Sequence, residues 1–325
     1  MALSMRKFIG IDLRLTLLPS FTLALFEERE HNLWAKIVGY DKGSIIKLEN
    51  GVIEYNCSDK VINYWTGTWF KPAEYLDRVV DEYKTLVERI LEAYSRVSLS
   101  IDPFDKDLLI VPITLSRRTD YERNVLRWCL DIWRRAEDLE DILNINLNTI
   151  SSSYQMKQLK TVVREFLEKA YPHLDEDPEI LRTTLLSCRW IGPKVADAYL
   201  LFTGMDVSSS PIDIHLKRMN YRIFRISYKY EPTKSICIKY WCSECPRNRA
   251  CIRWLFTSSF RELAGWLQTI SYLHDRLYCS RGLCLKCPLK DLCRESGRAV
   301  RSDSISRKSK KSSCEGGKEE ILQAM

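Results

Sequence analysis

Lys194 and Asp213 are the residues whose types and setting could carry covalent chemistry. Lys194 follows Gly192-Pro193, which reads as a tight turn and the start of a helix, since glycine permits the turn and proline suits a first helical position. The lysine then lies in the first helical turn, at the positive end of the helix dipole. A cation is disfavoured there, so such a site tends to lower the ammonium pKa and leave the neutral amine that nucleophilic catalysis needs. Moving a lysine from about 10.4 to about 7.5 takes roughly 4 kcal/mol. A helix terminus supplies about 0.3–1 kcal/mol and at most about 2, so desolvation in a pocket must provide most of the shift. Asp213, in Pro211-Ile212-Asp213-Ile214-His215, could stabilise a developing positive carbon or manage protons. From spacing alone, a salt-bridged surface lysine and a helix-capping aspartate explain the same residues.

The elements that must position these two are helices. Leu185 and Leu186 belong to the apolar face of a helix that ends at the Gly192 turn, and the free amides beginning the next helix are ready ligands for a phosphate oxygen. Upstream, residues 1 to about 70 read as an antiparallel meander, with Leu33–Tyr40, a turn at Asp41-Lys42-Gly43, Ser44–Leu48, a turn at Asn50-Gly51 and Val52–Tyr55. The apolar run Leu13–Phe26 is interrupted by Pro19, flanked by charge and too short to span a bilayer, so buried strands are expected there and no membrane segment. From Pro72, the residues Leu76, Val79, Val80, Tyr83, Leu86, Val87, Ile90 and Tyr94 mark one face of a long helix. Helices are expected again through Val125–Ala136, Tyr154–Tyr171 and Arg261–Tyr272.

Composition fits a globular chain of about two domains: 325 residues, 45% hydrophobic and 29% charged. Fifty basic against forty-three acidic residues give a net charge of +7, a modest excess that permits a polyanionic partner. Eight of the twelve cysteines form two quartets, Cys237/Cys242/Cys245/Cys251 and Cys279/Cys284/Cys287/Cys293, each with spacing C-x4-C-x2-C-x5-C and a proline after the third cysteine. Four thiolates can hold a zinc ion or an iron–sulfur cluster, and spacing does not choose between them. Metal-type clusters argue for a reducing, intracellular compartment. Cys57, Cys129 and Cys188 stand singly in apolar surroundings and are expected in the core. From Arg301 the chain reads as a disordered basic tail that includes Cys314.

The run Ile191-Gly192-Pro193-Lys194-Val195-Ala196-Asp197 followed by Ile212-Asp213-Ile214-His215 resembles the signature of the helix-hairpin-helix DNA glycosylase superfamily. The resemblance implies that Lys194 is a Schiff-base nucleophile and Asp213 the catalytic aspartate. One departure is visible: Trp190 stands where such hairpins usually carry a first glycine. A second patch, Ser116 to Asn124, is similar to the family loop whose polar side chain fills the hole left by an extruded base, with Arg117 or Arg118 in that place here. A guanidinium can stack and can bind phosphate. A third, Ala264-Gly265-Trp266-Leu267-Gln268-Thr269-Ile270-Ser271-Tyr272, is similar to the 8-oxoguanine branch, where the matching glutamine holds the base edge and the matching aromatic stacks on its face. Gln268 and Tyr272, four apart, share one helix face. The second quartet resembles the iron–sulfur loop of endonuclease III relatives, with x4 where x6 is usual, so a [4Fe-4S] cluster is expected there. Its Lys286, Lys290, Arg294 and Arg298 are expected to lie along DNA phosphates. The first quartet has no counterpart; its repeated spacing makes a second cluster the first expectation and zinc the alternative.

The expected architecture is α+β. An N-terminal antiparallel β plus helix domain (1–98) precedes an all-α helix-hairpin-helix core (99–236), a cysteine-cluster region with the Gln268 helix returning to the core (237–300), and the basic tail (301–325). The function that the resemblance implies is base-excision repair of damaged double-stranded DNA by a monomeric glycosylase and abasic-site lyase. Lys194 and Asp213 are its catalytic pair, Gln268, Tyr272 and His215 contact the substrate, and Arg117, Arg118, Gly192, Lys286 and Lys290 contact DNA. 8-Oxoguanine is the first expectation for the base, although Ala198 replaces a cysteine that animal enzymes set against it, and an oxidised pyrimidine is the alternative. A non-catalytic metal-cluster protein, binding nucleic acid or carrying electrons, fits the cysteines but leaves Lys194 and Asp213 without a role.

Overall fold

In the computed structural model, which describes residues 5–296, the chain begins as a five-stranded antiparallel sheet. Strands β1 (Met5–Phe8), β2 (Phe26–Glu30), β3 (Leu33–Lys36), β4 (Ile45–Glu49) and β5 (Val52–Tyr55) lie in the order β1-β5-β4-β3-β2. The expected meander is β3-β4-β5, and Asn50 and Gly51 both take positive φ in the two-residue turn between Glu49 and Val52, as a primed hairpin turn requires. β3 is shorter than expected and stops at Lys36.

The run Leu13–Phe26 is not strand. It forms helix α1 (Leu13–Leu17) and a 3-10 turn, Phe21–Leu25, before β2 begins. Asp12 caps α1 by accepting from the Leu15 amide, and Ser20 caps the second turn through Thr22; these local caps override the apolar content that reads as strand. Helix α2 (Asp59–Thr66), capped by Ser58 and closed by Gly67 at φ 86°, lies within the stretch expected to be all meander. The long helix expected from Leu76 is broken as well. A 3-10 segment, Pro72–Arg78, gives way to extended backbone at Val79 and Val80 before helix α3 (Asp81–Ala93). The Val80 amide donates to the Ser259 carbonyl at 3.0 Å, so a tertiary partner takes the bond that a continuous helix would have used.

The remaining described helices are α4 (Ile110–Leu115), α5 (Leu126–Trp133), α6 (Leu139–Asn144), α7 (Tyr154–Lys169), α8 (Pro178–Ser187), α9 (Pro193–Phe202), α10 (Ile214–Met219), α11 (Lys234–Cys237), α12 (Ile252–Phe260) and α13 (Leu263–Leu277). A large apolar core joins α4, α5, α7, α8, α9, α12 and α13, and takes in Leu25 and Val38 from the sheet end. A smaller cluster, including Leu13, Trp34, Ile46, Val61 and Trp65, lies between the sheet and the helices α1 and α2. Cys57, Cys129 and Cys188 are buried.

Sheet and helices are also joined by a buried ion triad. The Lys36 ammonium, wholly out of solvent, donates to Asp102 at 2.7 Å and Asp105 at 2.6 Å, and sits over the Trp65 ring at 4.4 Å. Among the described residues no helix is long and apolar enough to cross a membrane. Arg298 and the basic tail with Cys314 lie outside the described residues.

Candidate active site

α8 and α9 form the helical hairpin, and the left-handed turn between them falls on an unexpected residue. Gly192 is extended (φ −111°, ψ 176°) and caps α9 with no side chain, whereas Trp190 takes φ 63°. For an L residue that conformation costs about 1–2 kcal/mol, and neighbouring hydrogen bonds hold it. Arg117 Nη1 donates to the Trp190 carbonyl at 2.9 Å, the Arg189 amide donates to Glu165 at 2.8 Å, and Lys234 Nζ donates to the Cys188 carbonyl at 2.6 Å. The Trp190 side chain is about half exposed. A Cβ added at Gly192 would meet nothing within 4 Å, so this glycine leaves the start of α9 open.

Lys194, one residue beyond Pro193, faces a cavity of about 480 Å3. Asp213, Gln268, Tyr272, His215 and Arg118 line the same cavity, with Pro19, Phe21, Ala198 and Arg276 among its other walls. Among the described residues the Lys194 ammonium has no hydrogen-bond or ion-pair partner, so it is not the salt-bridged surface lysine that spacing alone allows. Asp213 does cap a helix, its Oδ1 accepting from the Leu216 amide at 2.8 Å at the start of α10. Its other oxygen accepts from Gln268 Nε2 at 3.3 Å, so one carboxylate both fixes α10 and faces the cavity.

Gln268 and Tyr272 reach the cavity because α13 is seated unusually close to its neighbours. A Cβ on Gly265 would lie 2.3 Å from Leu201 of α9 and 2.4 Å from the Val207 carbonyl, so only glycine permits this approach. Burial, and next the Glu122 carboxylate, push the Tyr272 phenol upward. The His215 ring meets the Tyr272 ring edge-on at 4.9 Å and its Nδ1 lies 2.6 Å from Asp275 Oδ2.

Asp275 and Arg276 are absent from the sequence-based candidates. Asp275 also accepts from Arg218 Nη1 at 2.8 Å and Ser280 Oγ at 3.0 Å. Burial raises its pKa, but the bonds from His215 and Arg218 outweigh that and hold the carboxyl at about 2. Arg276 donates to Asp120 at 3.0 Å and Glu122 at 2.6 Å, tying the Ser116–Asn124 loop to α13. The signal for both was the helical face of Gln268 and Tyr272 continued by three or four residues.

The two loop arginines separate. Arg117 is turned inward, donating to Thr114 O, Trp190 O and Gln158 Oε1 at 2.8–2.9 Å, because these acceptors surround its half-buried stem. The Arg117 guanidinium thus braces the hairpin turn. Arg118 is exposed, has φ 51° and lines the cavity.

The four sulfurs of each quartet face one common cavity. Those of the second surround about 270 Å3, with Arg222 and His274 in the wall and Lys290 at its edge. His274 Nε2 is 3.4 Å from Cys287 Sγ, and its Nδ1 is 2.6 Å from the Tyr94 hydroxyl. Among the described residues no three Cys, His, Asp or Glu side chains gather closely enough to hold a single ion. A ring of separated thiols around a cavity suits a multi-atom cluster better than a lone cation. Lys286 and Lys290 are exposed on this loop, and Arg294 lies over the Tyr221 ring at 3.4 Å.

Several solved structures share this fold. The Clostridium acetobutylicum 8-oxoguanine glycosylase/lyase, in complex with double-stranded DNA containing cytosine opposite 8-oxoguanine, superposes with a TM-score of 0.60 over 85% of this chain and 99% of its own, at 12% identity. The chain has the fold of the helix-hairpin-helix DNA glycosylases. MBOgg1, solved with a low-affinity DNA ligand, gives a TM-score of 0.61 at 15% identity over 83% of this chain and 94% of that one. The 3-methyladenine DNA glycosylase of Archaeoglobus fulgidus gives 0.58 at 13% identity over 84% and 99%. No family model matches the sequence, and no curated protein matches it. In this glycosylase fold the hairpin, the α13 face and the Ser116–Asn124 loop frame one cavity.

Proposed function

We propose that this chain is a DNA glycosylase with abasic-site lyase activity, acting on an extruded oxidised base, with 8-oxoguanine as the substrate that best fits the wall residues. The observation that carries the reading is that Lys194, Asp213, Gln268 and Tyr272, spread over 79 positions of sequence, line one cavity with an unpaired lysine at its edge. Extruding the base costs a few kcal/mol, which Arg118 would offset by filling the vacated stack while the open start of α9 at Gly192 accepts a phosphate. The Gln268 amide, now on Asp213, would exchange that bond for the base edge, and Tyr272 would take the base face. Lys194 Nζ then attacks C1′ as the base departs with the electrons of the glycosidic bond, and the freed Asp213 carboxylate stabilises the cationic sugar. The amine gives up its protons, one to the departing base, the C1′–O4′ bond opens with the electrons going to O4′, and the Schiff base so formed loses a C2′ proton as the 3′ phosphate is eliminated.

The second quartet fits a [4Fe-4S] cluster, which would cross-link the loop after α13; Cys279, Cys284, Cys287 and Cys293 would hold it, leaving Lys286 and Lys290 facing a DNA backbone. The test is borohydride trapping on duplexes carrying 8-oxoguanine or thymine glycol. A covalent adduct with wild-type protein, abolished in Lys194→Gln, is expected. No adduct with any lesion refutes the lyase, and an undiminished adduct in Lys194→Gln refutes the nucleophile. A thymine-glycol preference would move the substrate to oxidised pyrimidines.

A further inference from the structure

We infer that the first quartet, Cys237, Cys242, Cys245 and Cys251, is a thiolate metal centre that braces the helix pair carrying Lys194. Three buried ionic side chains join it to that pair. Arg182 of α8 donates to Asp197 of α9 at 2.6 Å, and Arg253 of α12 donates to the same oxygen at 2.9 Å. The three side chains are at most 8% exposed. Beyond the carboxylate, one guanidinium turns to the quartet: Arg253 Nη1 lies 2.7 Å from Cys242 Sγ.

Guanidiniums stay charged in proteins, so two cations against one carboxylate leave a positive charge in excess. A buried charge without a counter-charge is strongly unfavourable. Glu179, on the first turn of α8, is near but bonds neither arginine. What Arg253 does point at is sulfur, and four thiolates around a metal centre carry the net negative charge that is lacking. Hydrogen bonds to such sulfurs are also the usual outer support of a thiolate site. The four cysteines face one cavity, of about 20 Å3, and the loop is fastened to the hairpin turn by Lys234 on the Cys188 carbonyl. Asp197 lies one turn after Lys194 on α9, so the centre acts on the helix that positions the amine. Thiols too far apart to close on a single ion favour a cubane over zinc, and the test distinguishes the two.

The test uses the full chain and two variants. Cys245 makes no hydrogen bond to the arginine network, so Cys245→Ser removes a metal ligand without touching it. Elemental analysis of anaerobically purified wild type is expected to show two centres and Cys245→Ser one, the difference being about four irons with visible absorbance, or about one zinc without it. Amide hydrogen exchange in residues 182–200 is expected to accelerate at least about tenfold in the variant while the sheet is unchanged. Arg253→Met is expected to keep the metal but release it to a chelator about tenfold faster. Unchanged metal content in Cys245→Ser, a disulfide within the wild-type quartet, unchanged exchange at the hairpin after metal loss, or wild-type release from Arg253→Met each overturns the inference. None of these readouts involves DNA, so failure here and failure to trap an adduct are separate results.

Discussion

Asp275→Asn tests whether the polar network behind the cavity is an electrostatic support. In the wild type one buried oxygen serves His215, Arg218 and Ser280, and the carboxyl is held at about 2 against an ordinary 3.8. A depression of that size corresponds to about 2 kcal/mol. The folded pKa is depressed, so this stability is fully present above about pH 4, the unfolded value, and is lost as pH falls through about 2. Urea unfolding at pH 7 is expected to show Asp275→Asn less stable by about 2 kcal/mol. The gap between variant and wild type should hold down to about pH 4 and narrow below it. A gap under about 0.5 kcal/mol at pH 7, or one that does not narrow in acid, refutes the reasoning. Because His215 loses its anchor, lesion-duplex affinity should fall as well, by several-fold in a filter or anisotropy assay.

Lys36→Met leaves Asp102 and Asp105 buried without their cation, and breaking such a group costs about 3–5 kcal/mol; urea unfolding should show a loss of that size. Arg117 and Arg118 should separate by salt dependence. Arg118→Met is expected to weaken duplex binding and reduce the salt slope by about 1, whereas Arg117→Met, having lost only internal hydrogen bonds, should leave the slope unchanged and lower stability by about 1–3 kcal/mol. Trp190→Gly removes a left-handed L residue and should raise thermal stability by up to about 1 kcal/mol. A loss of stability would mean that the half-exposed indole packs in a way the backbone strain does not reveal.

The sequence by itself determined the elements whose signals are local. The Asn50-Gly51 hairpin, the Pro193 start of α9, the capping role open to Asp213 and the helical face of Gln268 and Tyr272 each follow from residues within one turn of each other, where backbone preference and side-chain reach decide the outcome. Short-range signals can also oppose one another, since the caps at Asp12 and Ser20 outweigh the apolar content of Leu13–Phe26. Tertiary structure decided whatever needed a distant partner. Val80 leaves a helix because Ser259 captures its amide, and Arg117 turns from solvent because the Trp190 and Thr114 carbonyls and Gln158 lie around it. Lys36 is buried because two aspartates about seventy residues away receive it. The same holds at the cavity. Residue types in the sequence identify an amine, a carboxylate, an amide and a ring, but only the contact of Gly265 with Leu201 and Val207 brings α13 near enough to α9 for them to share one space.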